Sequence, residues 1–363
     1  MQSFQGIFKG KKVFITGHTG FKGSWMSAWL LELGAEVKGF SIDIPTTPSH
    51  FGSLELEAKM IDSRGDIRNL EVLKKEMQSF SPEFVFHLAA MPIVNDCLER
   101  PRDAFETNLM GSVNVLEAIR ATPSVKVALM ITSDKCYENV EWEYGYRETD
   151  RLGGKDPYSA SKACAEIVIH AYYETYLKNS NLKIASVRAG NVIGGGDWAR
   201  DRIVPDLVRA WSKSASLQMK NPHSTRPWQH VLEPLSGYLN LAMQMSLGTA
   251  EGLQGEAFNF GPASEVIKSV EELVLESIKT WKGQDYKATA RGTAHESRLL
   301  KLSCDKALAR LNWKPVLDFP ETINMTIEWY KNFYQNNENV QQTHSDIQRY
   351  VQLARERGLP WAK

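Results

Sequence analysis

Residues Lys12 to Ser24 read KVFITGHTGFKGS, a short β-branched and aromatic run that meets glycines at Gly17, Gly20 and Gly23. The apolar run predicts a strand, and residues 24–33 behind the glycines predict a helix. Glycine permits positive φ and close backbone approach, while a helix start presents free N–H groups and a partial positive charge. A strand, a G-x-x-G-x-x-G loop and a helix in this order make a cradle for the pyrophosphate of a dinucleotide. Its residues are Gly17, Thr19, Gly20, Phe21, Lys22 and Gly23.

Outward from this unit the same rhythm recurs. Strands are predicted over 35–42, 84–89, 125–132 and 182–188, and helices over 69–80, 102–120 and 158–177. Such alternation implies a parallel sheet with helices on both faces, joined by right-handed crossovers. We therefore expect an α/β protein built on a Rossmann-type doubly wound parallel sheet. Beyond Gly190 the rhythm weakens: 194–197 and 221–228 read as loops around a helix at 233–247, a strand at 256–260 and a helix at 269–281. These predict a smaller C-terminal α/β substrate-binding lobe laid against the sheet. Residues 1–190 are assigned to the dinucleotide-binding domain and 191–363 mainly to the lobe, some of whose segments could return to the first domain.

The chain has 363 residues, 42% hydrophobic and 24% charged, enough to bury its own core and too apolar for extensive disorder. Forty-three basic residues balance 43 acidic ones, so no net field recruits nucleic acid or an anionic membrane. Cys97, Cys136, Cys164 and Cys304 lack any C-x-x-C spacing, which argues against a zinc site and against a disulfide framework; no metal is expected. The N-terminus lacks a signal-peptide core, and no stretch nears the roughly 18 apolar residues of a spanning helix. These features predict a soluble cytoplasmic protein.

Asp43 lies where the second strand should end, about twenty residues past the last loop glycine, where a carboxylate meets the ribose 2′-OH of NAD and would repel a 2′-phosphate. An aspartate that merely ends a strand is the plainer alternative. Lys22 could pair with a pyrophosphate or with a 2′-phosphate. Asp66 and Ile67 follow the third short strand, where Asp66 could meet the adenine amino group or cap the next helix. Tyr158 and Lys162 stand one helical turn apart in PYSASKACAE, on one face. A phenol of ordinary pKa about 10 acts as a base near neutrality only if its anion is stabilised, here by the Lys162 ammonium and a positive nicotinamide. Alone, such a pair reads as solvent-exposed; its place after the fifth strand of a glycine-cradle fold favours chemistry.

TGHTGFKG, HLAA at 87–90, ITSDK at 131–135 and YSASK resemble the extended short-chain dehydrogenase/reductase family across most of the chain. The resemblance implies that Leu88, Ala89 and Ala90 line the cofactor, and that Ser133 hydrogen-bonds the C4 hydroxyl of a nucleotide sugar which Tyr158 deprotonates. Sugar 4,6-dehydratases of this family carry an acid–base pair after that serine, commonly Asp-Glu; here it is Asp134 and Lys135. Asp-Lys, GHTGFKGSW, PTTPSHF, RAGNVIGGGDW and RPWQHVLEPLSGYL together are similar to the dehydratases that act on CDP-glucose.

The implied chemistry oxidises C4, which acidifies the C5 proton. A protonated Asp134 donates to the leaving C6 hydroxyl, a neutral Lys135 accepts the C5 proton, and the hydride returns to C6. NAD is regenerated, so the implied activity is a lyase forming CDP-4-keto-6-deoxy-D-glucose for dideoxysugar and O-antigen synthesis. Asn191 and Arg226 are expected to bind substrate, Arg226 gripping the pyrophosphate through its planar fork, with Arg202 as second choice. His295 and Glu296 border the nucleotide in relatives, without an assigned role. A 4-epimerase or a dehydratase of another nucleotide sugar shares Tyr158 and the cradle. A non-catalytic NAD-bound regulatory protein would be favoured by loss of the Tyr-Lys pair or the acid, and neither is lost. The helices at 102–120 and 158–177 pair subunits in the family, which implies a homodimer or homotetramer.

Overall fold

In the computed structural model, which describes residues 3–363 except 220, 250, 264–265, 283, 289–298 and 337–338, seven strands form one parallel sheet. They are β1 (Lys12–Thr16), β2 (Glu36–Ser41), β3 (Ile61–Arg64), β4 (Phe84–His87), β5 (Val127–Ile131), β6 (Lys183–Ala189) and β7 (Ala257–Phe260), in the order β7-β6-β5-β4-β1-β2-β3. Every pairing among them is parallel. Strands β4 and β5 are buried along their whole length, which is why they read as unbroken apolar runs. The order reverses between β1 and β4, and the register sets Thr16 beside both Phe40 and His87. Their carboxyl ends therefore open one crevice at the switch point of a Rossmann-type doubly wound sheet.

The covering helices include α1 (Phe21–Glu32), α2 (Leu70–Phe80), α3 (Gly111–Arg120) and α4 (Pro157–Tyr172). The helix expected over 102–120 is a short helix at Pro101–Phe105, a π-helical turn at Glu106–Met110, and then α3. The one expected over 158–177 likewise ends in a π-helical turn at Tyr173–Leu177. Asn69 caps α2, its side chain accepting from the Val72 N–H at 3.2 Å, so Asp66 is not the cap.

Beyond β6 come α5 (Ile203–Trp211), α6 (Leu232–Leu247) and α7 (Val270–Thr280). Two elements read above as parts of the smaller lobe lie in the main layer: β7 pairs with β6, and α6 packs on β5 and β6. The fully buried Phe258 and Phe260 of β7 and the nearly all-buried α6 find cover against the large sheet and the C-terminal segment around Trp313. What remains apart is built from two-residue ladders, Val192–Ile193 with Gln229–His230 and Thr225–Arg226 with Lys268–Ser269, together with Leu217–Met219 on Tyr286–Ala288.

Two C-terminal helices absent from the sequence reading, α8 (Phe319–Asn336) and α9 (Asn339–Glu356), close the fold over α1. Phe4 stacks on Trp361 at 5.0 Å, and Trp29 and Tyr350 pack edge to face at 5.8 Å. The buried Glu233 carboxylate, at the start of α6, accepts from the Val316 and Leu317 N–H groups and from the Tyr350 hydroxyl at 2.6–3.0 Å. Glu233→Ala strips three buried donors of their acceptor, and we expect a loss of roughly 3 kcal/mol. Urea denaturation checks this; a variant within 0.5 kcal/mol of wild type, about the scatter of surface changes, would show that the anchor carries little stability.

Candidate active site

Gly17 sits at φ +76°, and a Cβ there would lie 2.6 Å from the Ala89 nitrogen. A Cβ on Gly23 would lie 2.1 Å from the Gly17 carbonyl oxygen. These two glycines let the turn after β1, the turn after β4 and the start of α1 pack backbone to backbone. The Leu88 N–H donates to the Thr16 carbonyl at 3.0 Å and the Ala89 N–H to its hydroxyl at 3.3 Å, and Ala90 continues this wall. Gly20 precedes α1 with extended backbone, and no capping side chain or acidic residue occupies the first turn. The first N–H groups of α1 are thus open to a phosphate, and the residues present fit a dinucleotide.

Thr19 ties this loop to the next strand by donating to the Asp43 carbonyl at 2.6 Å, and the Asp43 side chain is exposed past the end of β2. Ile67 is buried, its carbonyl accepting from Asn114 at 2.9 Å, while Asp66 holds the Arg68 guanidinium at 2.8 Å. Asp43, Asp66 and Ile67 stand at the β2–β3 end of the crevice, apart from the groups below.

Sequence reasoning passed over His18. It is fully buried in the cradle, with Nε2 2.8 Å from Asp62 and Nδ1 2.9 Å from the Ser41 hydroxyl. Its signal was Gly39, an interior strand glycine whose Cβ would meet the His18 ring at 2.1 Å. Lys22 points the other way from Asp43: the charges acting on it are Asp134, Arg202 and Lys162, and burial pulls its pKa down to about 8. Nothing in this placement supports the 2′-phosphate alternative.

At the end of β5, Ser133 begins a short 3₁₀ turn, Asp134–Cys136. Its hydroxyl accepts from the Lys135 N–H at 3.2 Å, donates to Asp134 at 3.0 Å and also meets the Tyr158 phenol. Across from it, Asp156 caps α4 by accepting from the Ser159 N–H at 3.0 Å, with Pro157 preset for the first turn. That cap sets Tyr158 and Lys162 facing the Ser133 turn, both buried. Burial pushes Tyr158 up to about 12, opposed by the Ser133 hydrogen bond and the Arg202 charge. Arg202 is thus a cation that the chain itself sets against the phenol, beyond the two cations named from sequence. Burial draws Lys162 down to about 8, opposed by Glu166. Burial likewise raises Asp134, opposed by Lys135 and the Ser133 hydrogen bond, which favours a carboxyl that keeps its proton.

The substrate side borders the same point. A Cβ on Gly190 would lie 3.0 Å from the Asp134 carboxylate and 3.9 Å from Pro227, so the 190–191 turn and the Arg226 segment both flank Asp134. Asn191 is half-buried there, and the Arg226 guanidinium donates to the Thr225 carbonyl at 2.7 Å. Arg202 is held 2.6 Å from Asp197. The fold thus gathers Ser133, Asp134, Lys135, Tyr158, Lys162, Lys22 and Arg202, with Asn191 and Arg226 at the margin. His295 and Glu296 lie outside the described residues.

Comparison with known proteins places the relatives of this chain among nucleotide-sugar dehydratases and epimerases. A CDP-glucose 4,6-dehydratase of Salmonella typhimurium (strain LT2) is 46% identical over 332 residues, 90% of this chain and 92% of that protein. A dTDP-glucose 4,6-dehydratase of Xanthomonas campestris pv. campestris (strain B100) is 25% identical over 87% of this chain and 92% of its own length. Among solved structures, DesIV from Streptomyces venezuelae, a dTDP-glucose 4,6-dehydratase with NAD bound, superposes with a TM-score of 0.73 at 22% identity, covering 88% of this chain and 97% of that one. The UDP-glucose 4-epimerase of Thermus thermophilus, in complex with NAD, gives 0.72 at 25% identity over 88% and 99%. The family described as GDP-mannose 4,6 dehydratase matches residues 14–326, so the chain belongs to that family, within the extended short-chain dehydrogenases/reductases.

Proposed function

We propose that this chain is a hydro-lyase that converts CDP-D-glucose to CDP-4-keto-6-deoxy-D-glucose. The observation that carries the reading is the buried Asp134, joined to Ser133 and followed by Lys135, opposite Tyr158 and Lys162. A 4-epimerase needs the phenol and no acid at the C6 hydroxyl, so a burial-raised Asp134 favours dehydration. The 46% identity to a CDP-glucose enzyme favours the cytidine nucleotide.

Gly17, Thr19, Gly20, Phe21 and Gly23 would cradle NAD, with Leu88–Ala90 as a wall and Asp43 toward its ribose; bound there, NAD would supply the hydride acceptor for C4 and the donor for C6. Ser133 orients the C4 hydroxyl. Tyr158 removes its proton, with the Lys162 ammonium and the Arg202 charge favouring the phenolate. The resulting ketone acidifies C5, from which the Lys135 amine takes the proton. Asp134 protonates the departing C6 hydroxyl. Arg226 and Asn191 hold the diphosphate and sugar. Residues 1–190, joined by β7 and α6, serve the cofactor, and the short ladders after β6 serve the substrate.

Ile167 on α4, Tyr176 in the following turn and Met110 before α3 are exposed apolar residues on the two helical segments expected to pair copies, and with them we read the enzyme as a homodimer or homotetramer. Among the described residues no helix is long and apolar enough to cross a membrane. The four cysteines are unpaired, consistent with work in the cytoplasm.

Incubation with CDP-glucose, dTDP-glucose and UDP-glucose in turn should yield the 4-keto-6-deoxy product from CDP-glucose first; preferential turnover of another nucleotide overturns the base assignment. Tyr158→Phe should lower turnover ~100-fold or more, as expected for loss of a general base, with binding of NAD and CDP-glucose kept. Retention of more than a few per cent of activity on that scale removes Tyr158 as the base.

Lys135→Ala and Asp134→Asn should separate the two halves of elimination. With Lys135→Ala, oxidised sugar and reduced nicotinamide should build up in a single turnover while exchange of the C5 proton with solvent deuterium slows. With Asp134→Asn, that exchange should persist while the C6 hydroxyl stays. Wild-type exchange in Lys135→Ala would reduce Lys135 to an ion partner of the acid.

A further inference from the structure

Directly beneath the catalytic groups lies a buried ion pair that the mechanism above leaves unused. Glu166, on α4 one turn beyond Lys162, and Arg188, near the end of β6, meet at 2.8 Å with both side chains under 5% exposed. Glu166 also accepts from the Thr132 hydroxyl, next to Ser133, and from the Ser186 hydroxyl at 2.7 Å. Arg188 donates to the Tyr137 hydroxyl at 2.7 Å and lies over its ring, 4.9 Å from the centroid. Tyr137 in turn donates to Asn259 of β7 at 2.8 Å.

The partners are not arbitrary neighbours. Thr132 precedes Ser133, Tyr137 follows the Asp134–Cys136 turn, and Glu166 shares a helix face with Tyr158 and Lys162. One carboxylate–guanidinium pair therefore grips both segments that carry these reacting groups, the Ser133–Cys136 turn from its two ends and α4. A buried ion pair is a weak source of stability against an apolar replacement, which leaves geometry and charge as its use.

We propose that Glu166 is a positioning residue for C4 oxidation: locked by Arg188, it holds the Ser133 and Asp134–Lys135 segments in register with α4 and supplies the negative charge facing Lys162. This rests on the assignment of Tyr158 and Lys162 as the oxidising pair. The groups acting on or facing Lys162 are Tyr158 and Glu166 from α4, Cys136 from the 3₁₀ turn, Cys97 from the helix Val94–Glu99, Lys22 from α1 and His87 from β4. Burial holds His87 neutral and both thiols and the resting Tyr158 phenol protonated, so Glu166 is the acidic group in this set that is charged at neutral pH. Burial alone would take Lys162 below its present value of about 8, and Glu166 opposes that.

Glu166→Gln keeps the shape and removes the charge. Lys162 should then lose its proton at lower pH, so the alkaline limb of single-turnover C4 oxidation should move down by about one pH unit, the scale of one close charge. kcat should fall with KM for CDP-glucose unchanged. Glu166→Asp, which restores the charge on a shorter stem, should return the limb to its wild-type position while kcat stays low. The double variant Glu166→Gln/Arg188→Gln leaves no unpaired charge and should show the same displaced limb, with folding monitored by circular dichroism and Tm. A wild-type limb in a folded Glu166→Gln or double variant overturns the proposal, as does an Asp variant whose limb stays displaced. If neither charge-removing variant folds, the pair is a folding determinant and the positioning role is rejected. Tyr158→Phe run beside them tests the underlying assignment separately: an active Tyr158→Phe removes that assignment, whatever the limb does.

Discussion

The backbone of Gly23 approaches the Gly17 carbonyl so closely that even a methyl group would intrude to 2.1 Å, and Gly17 in turn lies against the Leu88–Ala89 turn. This contact determines how α1 leaves β1 and how near β4 can come. Because all seven strands are parallel, their carboxyl ends lie on one edge, and once α1 is seated there every following turn faces the same crevice. The uncapped start of α1, the exposed Asp43, the Ser133 turn and the first turn of α4 are consequences of that alignment. The candidate site lies along this edge, with the glycine turn delivered by the β1–α1 connection and Ser133, Asp134, Lys135, Tyr158 and Lys162 all by the β5–α4 connection.

Burial does the chemical tuning at this edge. It raises Tyr158 and Asp134 and lowers Lys162 and Lys22, so each charged form is disfavoured until a partner restores it. Those partners form a chain of alternating sign: Arg202 acts on Tyr158, Lys135 and Lys22 on Asp134, Glu166 on Lys162, and Arg188 on Glu166. Loss of the C6 hydroxyl as water needs an acid that keeps its proton, and burial favours that form of Asp134, whereas a solvated carboxyl would give it up in the ordinary carboxylate range.

Much of this was legible in local sequence. KVFIT became β1 within its predicted bounds, the glycine spacing described a close-packed turn into α1, and the Y-x-x-x-K spacing placed Tyr158 and Lys162 on one face. Strand and helix periods of about 2 and 3.6 residues are written in neighbouring side chains, so they survive without knowledge of the fold. Less legible were elements whose cover is distant. β7 and α6 read as a lobe because nothing in AFNF or in α6 names β5 and β6 as their neighbours. The C-terminal helices were missed, although Trp329 of α8 and Tyr350 of α9, the latter packed on Trp29 of α1, are fully buried and close the core.

The sequence by itself determined the doubly wound fold and the glycine turn after β1, and it named the side chains proposed to react, because each rests on residues within a few positions of one another. Only the tertiary structure decided which way Lys22 faces, that Asp134 is buried, that His18 fills the space opposite Gly39 and that Glu166 meets Arg188. Each of these joins segments 21 to 180 residues apart along the chain. Such contacts are set by the crossing of strands and helices in space, and a chain carries no period or spacing that encodes them.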